Sequence, residues 1–192
     1  MRHLPSEFSV SKLEIDFAVP IIDAAADVAK AVSARVLFAY VSAVEDLTVL
    51  QSAVKPPTKL ILVCRDADDE QRARERSIPA MSVPAFDLTR MGQIKMATLI
   101  AFSQQLLKAG DVFVFLTGVA GRAVDTLVAM RVGEEFELFQ SVGQPQLTEH
   151  IRRPVFERVL RLALELAHEG REGKPVGTLF VIGDHREVQK FC

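Results

Sequence analysis

Apolar positions along this chain follow two patterns that alternate. Short unbroken apolar runs read as buried strands, and longer stretches with apolar residues every three or four positions read as helices. A helix is predicted from about Val19 to Ser33, with Pro20 in its first turn and Ile21, Ala24, Ala25, Val28 and Val32 as its core-facing stripe. Val36–Val41 is a short apolar run and hence a buried strand. Val44–Val54 reads as a helix with Glu45 and Asp46 at its N-terminus, ended by Lys55-Pro56-Pro57-Thr58. Lys59–Cys64 is a second buried strand, and Ile78–Val83 a third, edged by Pro79 and Pro84. Thr89–Ala109 carries the longest helical stripe: Ile94, Ala97, Leu99, Ile100, Phe102, Leu106 and Leu107, with Gly110 expected as its cap. Val112–Leu116 is a fourth strand, and Thr126–Val132 a fifth.

Strand and helix alternating in units of roughly 20–30 residues predict an α/β fold. The expected architecture is a three-layer, mostly parallel sheet with helices on both faces. Strands four and five are joined by a loop too short for a crossover helix, so they should pair antiparallel or diverge at the sheet edge. Residues 138–153, with Gly143 and Pro145, read as a linker. Pro154–Glu169 is then an amphipathic helix, with Phe156, Val159, Leu160, Ala163, Leu164 and Ala167 on its apolar face and Gly170 as its cap. Val176–Ile182 reads as a strand. The expected organisation is an accessory domain over 1–137, a linker over 138–153, and the truncated start of a second domain over 154–192.

Composition narrows the function classes. The chain has 192 residues, is 49% hydrophobic and carries a net charge of −2. That supports a packed core and argues against both disorder and direct nucleic-acid binding. No apolar run approaches the roughly 20 residues of a membrane span, so no membrane partner is expected. The N-terminus lacks a signal-peptide core, and a cytoplasmic location is expected. Cys64 lies in an apolar run, and no disulfide or metal site is indicated by the two cysteines or the four scattered histidines. The charge run Arg65–Arg76 is acidic first and basic last, which suits a solvated helix aligned with its own macrodipole.

The best pocket candidate in the first domain is the loop after the fourth strand, with Thr117, Gly118, Gly121 and Arg122 as ligand-binding residues. Open α/β sheets bind ligands beyond such strand ends, the glycines permit close backbone approach, and Arg122 could hold an anion. The plainer reading is a tight turn between two strands. Gly170-Arg171-Glu172-Gly173-Lys174 is not a phosphate-binding loop of the kind that opens a helix; it reads as a helix cap and a turn.

Leu164-Glu165-Leu166-Ala167 and then Glu169 to Asp184, Glu-Gly-Arg-Glu-Gly-Lys-Pro-Val-Gly-Thr-Leu-Phe-Val-Ile-Gly-Asp, resemble the entry to the diadenylate cyclase domain of the DNA-integrity-scanning type. The resemblance is to a prokaryotic branch with its own N-terminal domain. It implies a full-length protein that condenses two ATP molecules into cyclic di-AMP with a divalent metal. The family's Asp-Gly-Ala and Arg-His-Arg motifs do not occur in these 192 residues. No catalytic residue is therefore carried over, and the chain alone is expected to be inactive and to hold no cofactor. Leu106 to Gly118, Leu-Leu-Lys-Ala-Gly-Asp-Val-Phe-Val-Phe-Leu-Thr-Gly, is similar to a segment of the pyruvate kinase C-terminal domain, and the order of elements over 19–137 fits that domain. Effector-regulated members of that family bind a sugar phosphate after the first strand. Here that place holds Val41-Ser42-Ala43-Val44-Glu45-Asp46, whose carboxylates would repel an anion. The expected function is a regulatory or assembly module of a diadenylate-cyclase-like protein, a homo-oligomer with a small-molecule effector. The alternative is a non-catalytic domain that binds a small anionic metabolite or mediates dimerisation through the strand around Thr126–Val132.

Overall fold

A computed structural model describes residues 18–85, 88–118, 124–133, 151–170 and 177–183. The apolar runs become the strands β1 (Val36–Tyr40), β2 (Lys59–Cys64), β3 (Ala80–Ser82), β4 (Val112–Thr117) and β5 (Thr126–Arg131). The stripes become α1 (Ala18–Ala31), α2 (Leu47–Ala53), α3 (Ala67–Glu75), α4 (Arg90–Ser103) and α5 (Arg153–Glu169). The sheet order is β3-β2-β1-β4-β5. The first four strands are parallel, with Phe38 opposite Ile61 on one side and Phe115 on the other. β5 runs antiparallel to β4 at the edge, the first of the two outcomes that the short connection allows.

Chain order and handedness place the helices. The crossovers through α2 and α3 step from β1 to β2 to β3, whereas α4 returns across the sheet to β4. Right-handed crossovers in opposite directions put their helices on opposite faces. α1 lies beside α2, and α5 beside α4. The expected α/β sandwich with helices on both faces is what forms.

The core sits between these layers. Every residue of β1 is buried, because β1 is the central strand and is covered on both sides. Toward α4 it presents Phe38, which stacks on Phe115 at 5.6 Å between ring centroids and meets Phe113 edge-on at 6.0 Å. Leu37, Val114 and Leu116 fill the opposite face and are fully buried.

Several expectations need correction. In α1 the buried residues are Ile22, Ala25 and Ala29; Ala24 is exposed, and Val32 lies past the helix end at 41% exposure. Of the expected stripe, Ala25 is buried and Ile21 and Val28 pack partly buried against the core, so only Ala24 and Val32 fall off it, while Ile22 and Ala29 join it. α2 starts at Leu47, since Val41–Ala43 form a 3-10 turn and the Asp46 carboxylate caps the helix by accepting from the Thr48 N–H. α4 stops at Ser103 rather than Ala109, and Gly110 is not its cap. Instead Gln105 takes a left-handed conformation, φ 59°, while its N–H bonds to the Phe102 carbonyl and the Leu106 N–H to the Ala101 carbonyl. Those two bonds close a Schellman motif, with glutamine where glycine is usual. Gly170 does end α5, at φ 65°. Of the expected strand 176–182, Val176 lies outside the described residues, and 177–182 form no strand with any of the described residues; Leu179 is 84% exposed. The charge run is a helix, with the Asp66 side chain accepting from the Asp69 N–H as its cap. Residues 138–150, most of the expected linker, lie outside the described residues.

Candidate functional site

The sheet order reverses between β1 and β4. β1 leads to strands on one side of itself, and β4 arrives from across the sheet. In open α/β folds, ligands sit outside the carboxyl ends of the strands at such a reversal. Here those ends are Tyr40 and Thr117, and the first turn of α4 stands over them.

One side chain gathers this point. Gln93, on the buried face of α4, accepts from the Thr117 hydroxyl at Oε1 (2.6 Å) and donates from Nε2 to the Leu88 carbonyl (3.3 Å). Its backbone carbonyl accepts from the Tyr40 hydroxyl at 3.2 Å. Burial holds the Tyr40 phenol well above its ordinary value, so it acts as a neutral donor. Thr117 is fully buried, and its hydroxyl is committed inward to Gln93. The network is satisfied, which fixes the strand ends and the helix start to one another.

Above it lies a charged clamp. Arg90, at the start of α4, donates from Nε to Asp125 Oδ1 at 3.0 Å and from Nη2 to Oδ2. The Thr126 hydroxyl also donates to Asp125 Oδ1, at 2.7 Å, and the Asp125 N–H bonds to the Thr117 carbonyl. The fork of Arg90 on Asp125 thus ties α4 to the entry of β5. Both side chains remain partly exposed, at 44% and 31%. The N-terminus of α4 is capped by Thr89, whose Oγ1 accepts from the Gly92 N–H. A Cβ at Gly92 would come within 3.3 Å of both Leu88 and Thr89, so glycine lets that turn close.

Of the four residues expected to bind a ligand, Thr117 and Gly118 lie at this reversal and are buried; Gly121 and Arg122 lie outside the described residues. Sequence reasoning missed Tyr40, Arg90, Gln93 and Asp125. Gln93 gave one usable signal, a polar residue within the apolar stripe beside Ile94. Arg90 and Asp125 are 35 positions apart, and no local pattern relates them.

The loop after β1 is closed by its own chain. Arg72 of α3 donates to the carbonyls of Val41 (3.2 Å), Val44 (2.6 Å) and Glu45 (2.9 Å). The loop turns acceptors toward a cation there, the opposite of an anion cradle.

Among the described residues the reversal offers hydroxyls, an amide, a guanidinium and the Asp125 carboxylate that the guanidinium pairs with. Among the described residues no three His, Cys, Asp or Glu side chains converge where they could hold a metal. This donor set does not fit the divalent metal that cyclic dinucleotide synthesis requires, so no step of that chemistry is assigned to these residues. Cys64 is buried in β2, and burial together with the nearby Asp69, Glu70 and Asp66 pushes its thiol up to about 12. Among the described residues no helix is long and apolar enough to cross a membrane.

Comparison with known proteins matches the described sheet region to one family. A family model described as "Probable sensor domain DacZ_P" matches residues 19–139, the span from α1 through β5. A diadenylate cyclase from Haloferax volcanii is 33% identical over 90 residues, covering 46% of this chain and 32% of that protein. A diadenylate cyclase from Methanocaldococcus jannaschii is 31% identical over 97 residues, covering 46% of this chain and 29% of that protein. The matches thus span about a third of these relatives. Among solved structures, a pyruvate kinase from Cryptosporidium parvum aligns with a TM-score of 0.48 at 16% identity, over 67% of this chain and 24% of that one. That likeness is too low to carry a functional argument.

Proposed function

The chain belongs to the DacZ_P family of probable sensor domains, and we propose on that premise that it is the regulatory N-terminal module of a diadenylate-cyclase-like protein. The carrying observation is the extent of the family match, residues 19–139, which coincides with the five-stranded sheet and its helices. The whole protein would make cyclic di-AMP from ATP with a divalent metal, using residues outside this chain. This module would supply the sensing.

The sensing site we propose is the reversal between β1 and β4. A small anionic effector entering there meets Arg90, and exchanging Asp125 for the effector's anion releases the start of β5 from α4. The partly exposed fork between Arg90 and Asp125 supports this reading, since its ion pair can open without breaking the buried network beneath it.

The test compares the cyclase-bearing protein with a form lacking residues 18–139. Both should convert ATP to cyclic di-AMP, with rates that differ by on the order of fivefold or more, the lower end of common allosteric coupling. Equal rates across substrate concentration and cell-extract metabolite fractions would remove the regulatory role.

A further inference from the structure

A second location, away from the sheet reversal, has the features of a binding site. β3 is an edge strand, and its pairing with β2 uses alternate residues. The Leu62 N–H donates to the Pro79 carbonyl, and the Val83 N–H to the Cys64 carbonyl, both at 2.8 Å. Odd-numbered residues therefore face β2. By the alternation of a strand, Ala80 and Ser82 turn their backbone N–H and C=O groups outward.

α5 does not close this edge. Its apolar face is only half-buried, and between it and β3 lies a cavity of about 370 Å³. That volume falls in the range of small-ligand sites, roughly 300–1,000 Å³. Ala80 and Ser82 form one wall, Gln104 lines it from just past α4, and Glu157, Leu160 and Arg161 of α5 form the other. Glu157 already accepts from Gln104 Nε2 at 3.2 Å, which leaves Arg161 as the cationic end of the α5 wall.

These groups select a ligand class. An outward strand edge offers donors and acceptors at the spacing of a polypeptide backbone, the basis of strand addition. A guanidinium on the facing helix suits a terminal carboxylate. Three extended residues span about 10 Å. We propose that the cavity between β3 and α5 binds a short linear peptide of two or three residues, added as a strand on β3 with its carboxylate at Arg161. Because one wall is the sheet and the other is α5, the bound peptide joins the two. The proposal stands on this cavity alone and does not require the cyclase reading.

The experiment uses tri-alanine as the probe and the 192-residue chain, followed by backbone amide NMR. Saturable shifts are expected at Ala80 and Ser82 and along 157–161. Tri-alanine methylated on its central amide nitrogen should not produce them, because it cannot donate to the edge. Ser82→Pro removes one outward N–H, a change that edge strands tolerate, and should abolish binding with the fold intact by circular dichroism. Arg161→Ala should weaken binding about tenfold, the loss of one charge-assisted contact. The proposal fails if tri-alanine leaves residues 80–84 unshifted, if the methylated peptide shifts them equally, or if free alanine binds as well as the tripeptide.

Discussion

Replacing Thr117 by valine tests the buried network directly. Valine keeps the β-branched shape and volume of threonine, so packing at the end of β4 is preserved. What is lost is the 2.6 Å bond to Gln93 Oε1, in a place where Thr117 is fully buried and Gln93 is 9% exposed. The amide oxygen then has no donor and little water. Leaving a buried acceptor unsatisfied costs about 1–3 kcal/mol. With a urea slope of about 2 kcal/mol/M, the midpoint should fall by about 1 M. The double variant Thr117→Val with Gln93→Leu removes both partners. It should recover part of the loss, because an apolar pair is cheaper than one orphaned group. The recovery will be incomplete, since Gln93 Nε2 also bonds to the Leu88 carbonyl. A midpoint shift below about 0.2 M for the single variant, or strictly additive losses in the double, would show that Gln93 does not organise the strand ends.

Phe38→Ala removes the ring that stacks on Phe115 and meets Phe113 at the centre of the sheet, and should cost about 3–5 kcal/mol by chemical denaturation. Gln105→Gly relieves the left-handed backbone that closes α4, and should raise stability by about 0.5–1 kcal/mol; a loss would mean that the glutamine side chain outweighs the backbone gain. The Cys64 thiol, pushed up to about 12, has a thiolate fraction on the order of one in ten thousand at pH 8, so a disulfide exchange reagent should leave Cys64 unmodified in the native chain and modify it in urea. Native-state modification of Cys64 on mixing, located by peptide mapping, would contradict its burial.

Much of the fold could be read from local pattern. The boundaries of β2 are those of the apolar run Lys59–Cys64, because both neighbours bury it and Pro57 and Arg65 bound it. Loop length left the fifth strand two outcomes, antiparallel pairing or divergence at the edge, and antiparallel pairing is what forms. What failed depended on a third dimension. The stripe of α1 held at Ile21, Ala25 and Val28, and missed at Val32 because the helix ends at Ala31, one residue short of it. The end of α4 was misplaced because a glutamine adopted the conformation expected of Gly110. Residues 177–182 carry a strand-like apolar pattern, yet pair with no strand among the described residues, and an apolar run without a neighbouring strand does not form one. Strand-end logic pointed to Thr117 and Gly118, and the structure has both at the sheet reversal, with the Thr117 hydroxyl turned inward to Gln93. The groups that surround them are brought together by the crossover of α4, and Arg72 looked like one more charge in a solvated helix until its three carbonyl partners were placed.

The most direct test of the account is product formation by this chain alone. Residues 1–192, folded and supplied with ATP and either magnesium or manganese, are predicted to yield no cyclic di-AMP by liquid chromatography under conditions where the cyclase-bearing protein yields it readily. Turnover of ATP to cyclic di-AMP by the 192-residue chain would contradict the reading of a regulatory module and place catalytic residues within it.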